Sequence, residues 1–64
     1  MRSNVEKWMK LRGYNVPKIA DKTNLSEDVI RKAKNHIEFS TIRSLQKIAM
    51  VLGCRVKDLF DEEE

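Results

Sequence analysis

Residues 15–35 read NVPKIADKTNLSEDVIRKAKN, and the spacing of apolar and turn-forming residues in this stretch decides the fold. Ile19, Ala20, Leu25, Ile30 and Ala33 make two helical stripes interrupted at residues 23–25, so two short helices joined by a tight turn can face each other and a common core. Ala20 belongs where the two helices come closest, since a larger side chain would push them apart. Asn24, four residues on, is one of the few residue types that tolerates the left-handed backbone of a sharp inter-helix turn. Leu25 then turns into the core. Ser26 follows as an N-cap, with Glu27 and Asp28 at the positive end of the helix dipole, so the second helix starts at about Glu27. Asn15 caps the first, and Pro17 sits in its first turn, where a missing amide proton costs nothing. That helix is expected from Val16 to about Thr23.

Working outward, Ser3-Asn4-Val5-Glu6 reads as a capping box that opens a helix over residues 4–12, which Gly13 ends. Its inward stripe is Val5, Trp8 and Met9, with Leu11 a further candidate; Trp8 is expected as a core anchor and Tyr14 as packing under the loop. On the other side, Asn35-His36-Ile37-Glu38-Phe39 forms a connection from which Ile37 or Phe39 plugs the core. Ser40 or Thr41 then caps a strongly amphipathic helix with the stripe Ile42, Leu45, Ile48, Ala49 and Leu52, stopped by Gly53 in a left-handed cap. A last turn over residues 56–60 brings Val56, Leu59 and Phe60 back over the first and fourth helices, and the acidic tail beyond is expected to fray. No period-2 alternation is long enough for a strand pair. The fold class expected is all-α, a compact bundle of about five short helices, with residues 1–60 as one domain and residues 61–64 as an acidic tail.

A chain of 64 residues, 41% of them hydrophobic, can bury only a modest core. Its net charge of +3 conceals an asymmetry: the last four residues carry four of the ten acidic side chains, so residues 1–60 hold thirteen basic groups against six acidic ones, a balance of +7. A basic body suits a polyanionic partner. The single cysteine, Cys54, excludes an internal disulfide, fits a reducing compartment, and is expected as a buried inert thiol. No apolar run approaches a membrane span, and the N-terminal MRSNVEKWMK lacks the apolar core of a signal peptide, so a cytoplasmic protein that binds no membrane is expected. His36 is expected as a loop residue in the left-handed conformation rather than a metal ligand. Met50 and Val51 lie off the main stripe of the fourth helix, where they either pack on the last turn or form part of a dimer seam. No nucleophile stands with a plausible base and no glycine-rich phosphate loop is present, so neither catalysis, a cofactor nor a small-molecule ligand is expected.

In order and spacing these pieces resemble the lambda repressor and Cro-like helix-turn-helix family, also called the XRE family. The resemblance covers nearly the whole chain. It rests on Ile19-Ala20 with Leu25 and Ile30 in the two-helix motif, on SLQKIAMVLGC over residues 44–54, which is similar to the family's fourth helix, and on the ending Lys57-Asp58-Leu59-Phe60. It implies double-stranded DNA as the partner, with the third helix in the major groove and the N-terminus of the second against a phosphate. Carried over by position, the groove-facing residues are Ser26, Glu27, Asp28, Arg31, Lys32 and Asn35, with Arg31 and Lys32 the main base or phosphate contacts. Asn15, the amide of Val16, Lys18, Lys34, His36, Ser40, Thr41 and Arg43 are the implied phosphate contacts.

Three departures accompany the match. Val16 stands where the family often has a glutamine that braces the first base contact, Asn24 where glycine is usual, and Glu27 and Asp28 where neutral polar residues usually enter the groove. Two carboxylates facing a polyanion weaken binding unless each accepts from a cytosine amino group. The expected function is a sequence-specific DNA-binding transcriptional regulator, a small repressor binding a palindromic operator as two copies, with a homodimer at least on DNA. The alternative is the same fold as a protein-binding module, antirepressor or antitoxin-like, without direct DNA readout.

Overall fold

A computed structural model describes residues 1–61, and its helix boundaries follow the capping residues. The first helix, α1 (Val5–Arg12), ends where Gly13 takes φ 74° and its N–H returns to the last turn. The second, α2 (Val16–Thr23), begins where the Asn15 side chain accepts from the Lys18 N–H at 2.9 Å and ends where Asn24 adopts φ 60°. Ser26 caps α3 (Glu27–Asn35) by accepting from the Val29 N–H at 3.3 Å. A 3-10 turn, Ile37–Phe39, leads to α4 (Ile42–Leu52), which Thr41 caps and Gly53 closes at φ 74°. The expected fifth helix is a second 3-10 turn, Val56–Leu59, opened by the Asp58 carboxylate accepting from the Arg55 N–H at 3.0 Å. The fold is therefore all-α in its body, with four α-helices among the described residues.

A short strand pair was not expected. Arg2–Ser3 (β1) pairs antiparallel with Phe60–Asp61 (β2), in the register Arg2 to Asp61 and Ser3 to Phe60. Two-residue strands carry no alternation for a sequence pattern to reveal. The pair also dissolves the expected capping box: Asn4, not Ser3, stands at the α1 N-cap, without a side-chain cap bond. With its backbone in β1, Ser3 accepts from the Val5 N–H at 3.2 Å and donates to the Ala33 carbonyl at 2.6 Å, tying the start of the chain to α3. Glu6 meets Lys10 instead, in an exposed ion pair at 3.2 Å. Asp61 belongs to the strand pair rather than fraying, and the rest of the acidic tail lies outside the described residues.

The core joins Val5 and Met9 of α1, Ile19 and Ala20 of α2, Ile30 and Ala33 of α3, Leu45, Ile48, Ala49 and Leu52 of α4, and Ile37 and Leu59 from the two 3-10 turns, all buried. Each large side chain so buried contributes about 1.5–3 kcal/mol. Leu25 packs against this cluster half-buried, as do Trp8, Tyr14 and Val51, so Val51 takes the packing role and Met50 stays exposed. Two expected core positions face solvent. Leu11 lies about 120° round the helix from Val5 at 3.6 residues per turn, and it is 67% exposed. Arg12 takes the inward side there, its Nε–H donating to the Leu52 carbonyl at 2.8 Å and its guanidinium 5.4 Å from the Trp8 ring centroid. Ile42, in the first turn of α4, is 63% exposed because it stands before that helix meets the core. Ile37 alone plugs the connection, at 2% exposure against 69% for Phe39. His36 precedes it with φ −143° and ψ 64°, outside the left-handed region.

Candidate nucleic-acid interface

Burying Ile30 and Ala33 against α2 and the core fixes which face of α3 looks outward. Glu27, Asp28, Arg31, Lys32 and Asn35 are exposed along it, Ser26 is exposed at its start, and Lys34 is half-buried at its flank. Glu27, Arg31 and Asn35 are spaced four residues apart and form one row; Asp28 and Lys32 form the next. The turn of residues 24–26 holds this face in place. Leu25 donates its N–H to the Ala20 carbonyl at 3.1 Å, and buried Thr23, a polar side chain on the inner face, donates its hydroxyl to the Ile19 carbonyl at 2.7 Å.

Arg31 is held at both ends of its guanidinium. Nη2 meets Glu27 Oε1 at 2.9 Å and Nη1 meets Asp28 Oδ1 at 3.2 Å. All three side chains are well exposed, so the pairs add little stability. Their effect is orientation and charge: the front of α3 presents one guanidinium already fixed between two carboxylates, with a balance of one negative charge. Lys32 makes no ion pair among the described residues.

At the N-terminus of α2, Asn15 is occupied by its cap: its side chain accepts from Lys18 and its carbonyl from Ile19 at 3.0 Å. Pro17 has no N–H, so the Val16 amide is the first-turn donor outside these bonds. Lys18 of the first turn and Lys22 of the last both reach over Tyr14, 5.3 and 5.8 Å from the ring centroid, which gathers two cations around that ring. Around the loop to α4, His36 and Arg43 are exposed, and His36 donates its N–H to the Lys32 carbonyl at 2.7 Å. Thr41 accepts from the Ser44 N–H at 3.1 Å while donating to the Ser44 hydroxyl at 2.9 Å. Ser40 Oγ is buried with no partner among the described residues.

Elsewhere, a groove of about 430 Å³ runs between α1 and the final 3-10 turn, lined by Asn4, Lys7, Trp8, Leu11, Lys57, Asp58 and Asp61, none of them a candidate contact residue. Burial, helped by the Asp58 carboxylate and opposed by Arg12, raises the pKa of Cys54 above its ordinary 9.0 and keeps the thiol protonated at neutral pH. Among the described residues no cluster of three metal-ligating side chains occurs, and no helix is long and apolar enough to cross a membrane.

With the two-helix unit and its outward polar face in place, one comparison with known proteins is decisive. A family model described as a Cro/C1-type HTH DNA-binding domain matches residues 4–63. The chain belongs to the Cro/C1-type HTH family. Neither the curated proteins nor the solved structures gave a match. Membership makes this Cro/C1-type domain a DNA-binding transcription regulator in general terms, with DNA as its partner, in a family defined by binding rather than by catalysis.

Two features of the Cro/C1-type domain escaped sequence reasoning. Glu27 and Asp28 stand four and three residues before Arg31, the spacings at which helical side chains meet, so the ion pairs were available from the sequence. The tie from Ser3 to Ala33 crosses thirty residues and left no such signal.

Proposed function

We propose that this domain is a sequence-specific regulator, a small repressor that reads the major groove with α3. The observation that carries the reading is the exposed face of α3, where Arg31, Lys32 and Asn35 stand outward on a helix whose opposite face is buried against α2 and the core. Arg31 takes a guanine through O6 and N7, Lys32 a base or a phosphate, and Asn35 an adenine or a phosphate. Ser26, Glu27 and Asp28 line the entry to the groove. Asn15, the Val16 amide and Lys18 hold a phosphate at the start of α2, and Lys34, His36, Ser40, Thr41 and Arg43 grip the backbone beside the loop into α4. Thr41 does so beyond its capping bonds, and Ser40 by turning its buried hydroxyl outward. Two copies bind a palindromic operator in the cytoplasm, one per half-site about one helical turn apart, and pair at least on DNA.

The test is fluorescence anisotropy of labelled duplex DNA over roughly 50–300 mM salt, with selection from a randomised duplex pool. An inverted repeat should be enriched, and affinity should fall with a log-log slope of about −0.9 per neutralised phosphate. Arg31→Ala with Lys32→Ala should abolish specific binding while leaving the helical circular dichroism unchanged. Full affinity in that double variant would remove the site assignment.

A second reading is favoured by one observation, the engagement of Arg31 by Glu27 and Asp28. It gives the front of α3 a negative balance suited to a basic protein surface, as in an antirepressor or antitoxin-like module. Its mark would be a protein partner that co-purifies from cells, is lost on Glu27→Lys, and retains no DNA.

A further inference from the structure

The pairing of Arg31 with two carboxylates at the tip of the groove-facing helix determines which base pairs that tip accepts. We infer that Glu27 is a specificity-determining residue, selecting a cytosine beside the guanine that Arg31 takes, so that each half-site carries adjacent G·C pairs under the start of α3. This inference rests on the DNA-reading role proposed for α3.

The donor and acceptor count leads to it. A guanidinium has five N–H donors, and Arg31 spends one from Nη2 on Glu27 and one from Nη1 on Asp28. Three remain, and O6 and N7 of a guanine require two. Arg31 therefore keeps donors enough for a guanine while its two carboxylates stay beside it. Glu27 engages Arg31 through Oε1, so Oε2 is the oxygen left to meet a neighbouring base. A carboxylate oxygen only accepts, and only an amino group serves it. Thymine offers O4 and guanine O6 and N7, all acceptors that repel it. Adenine offers its N6 amino group between its own N7 and the O4 of its thymine partner, whereas cytosine offers its N4 amino group with an acceptor on one side alone, the O6 of its paired guanine. Cytosine is thus the base that meets Glu27 with the least adjacent repulsion. The same carboxylates disfavour binding elsewhere: on a sequence without the cytosine, Glu27 Oε2 enters the groove with no base donor, between two rows of phosphates. The unusual acidic start of α3 thereby raises selectivity by lowering affinity for unrelated DNA.

The experiment is selection from a randomised duplex pool with the full chain and with Glu27→Gln, followed by anisotropy on the enriched site, on its C-to-A, C-to-T and C-to-G variants, and on random duplex. Glu27 is exposed, its side chain 45% accessible, so the substitution is compatible with folding, which circular dichroism verifies. The full chain should enrich a cytosine adjacent to a guanine in each half-site and lose roughly 5- to 150-fold affinity when that cytosine is replaced. Glu27→Gln should transfer the preference to adenine, which a glutamine bonds through N6 and N7, and should bind random duplex several-fold more tightly. The same enriched sequence from both proteins would overturn the inference while leaving the regulator reading standing, since Glu27 would then serve only the helix dipole. No enrichment from either protein would overturn both.

Discussion

Asn24 carries the left-handed turn between the two helices at φ 60°, a conformation otherwise held, among the described residues, by Gly13 and Gly53. Asparagine tolerates it at some cost, so Asn24→Gly should leave stability unchanged or raise it by up to about 1 kcal/mol, while Asn24→Val should lower it by about 1–2 kcal/mol. Urea denaturation followed by circular dichroism measures both. Gly13→Ala isolates the same penalty, because an added Cβ would meet nothing within 4 Å and the loss reports backbone strain alone. Cys54 gives a prediction in pH. Its folded pKa is raised above 9.0, chiefly by burial and then by Asp58, so the folded state holds the thiol proton more tightly than the unfolded chain does. That contribution to stability is complete below about pH 9 and is lost as pH rises through the folded value. Alkylation by iodoacetamide at pH 8 should accordingly be slower than for an unfolded cysteine. Asp58→Asn should quicken it, since an amide keeps an oxygen for the Arg55 N–H but removes the charge. An unchanged rate in that variant would leave burial as the whole cause.

At the scale of elements, each helix is defined by bonds that lie within four residues of its own end, so a single hydroxyl decides where α3 begins. Ser26→Ala removes the acceptor for the Val29 N–H and should cost about 1 kcal/mol, read as a lower midpoint in thermal denaturation. The locality of these bonds explains how much of the fold was legible in the sequence. Asn15, Asn24, Ser26, Thr41 and Gly53 act on their own neighbourhoods, and α2 and α3 take the bounds their caps announce. What stayed hidden was non-local. Ser3 looked like a cap because only its neighbours in sequence were visible, while its backbone pairs with Phe60 and its hydroxyl reaches Ala33. The last turn forms a 3-10 segment rather than a helix because the six residues between the Gly53 cap and β2 are too few for two helical turns. The candidate interface divides in the same way. Which residues face outward on α3 follows from period and burial, whereas the use of Arg31 by Glu27 and Asp28 depends on side-chain choice among several partners in reach. Asp28 shows how little burial enters that choice, its side chain being 94% exposed while it pairs.

For the molecule as a whole, the decisive contacts are those that close its two ends on each other. The Asn4 N–H donates to the Leu59 carbonyl at 2.7 Å, the Trp8 indole N–H donates to the Asp58 carbonyl at 3.0 Å, and β1 lies against β2. Leu59 sits at their centre with no exposed surface, so the C-terminal turn acts as a plug that holds α1 against α4. A domain of this size has a total stability of only about 3–5 kcal/mol, and truncating a buried leucine costs about 2–5 kcal/mol. The two magnitudes are comparable. Leu59→Ala should therefore leave the chain largely unfolded at 37 °C, or lower its melting temperature by at least about 10 °C, given about 4–8 °C per kcal/mol for domains this small. DNA binding should fall in proportion to the unfolded fraction, although Leu59 is fully buried and is itself none of the proposed contacts. Lowering the temperature restores folding, and with it affinity, which separates this loss from that of Arg31→Ala with Lys32→Ala, where affinity stays absent in a folded chain. A drop of less than about 5 °C would mean that the helix pair stands without its C-terminal plug, and that the core of α2, α3 and α4 carries the stability alone.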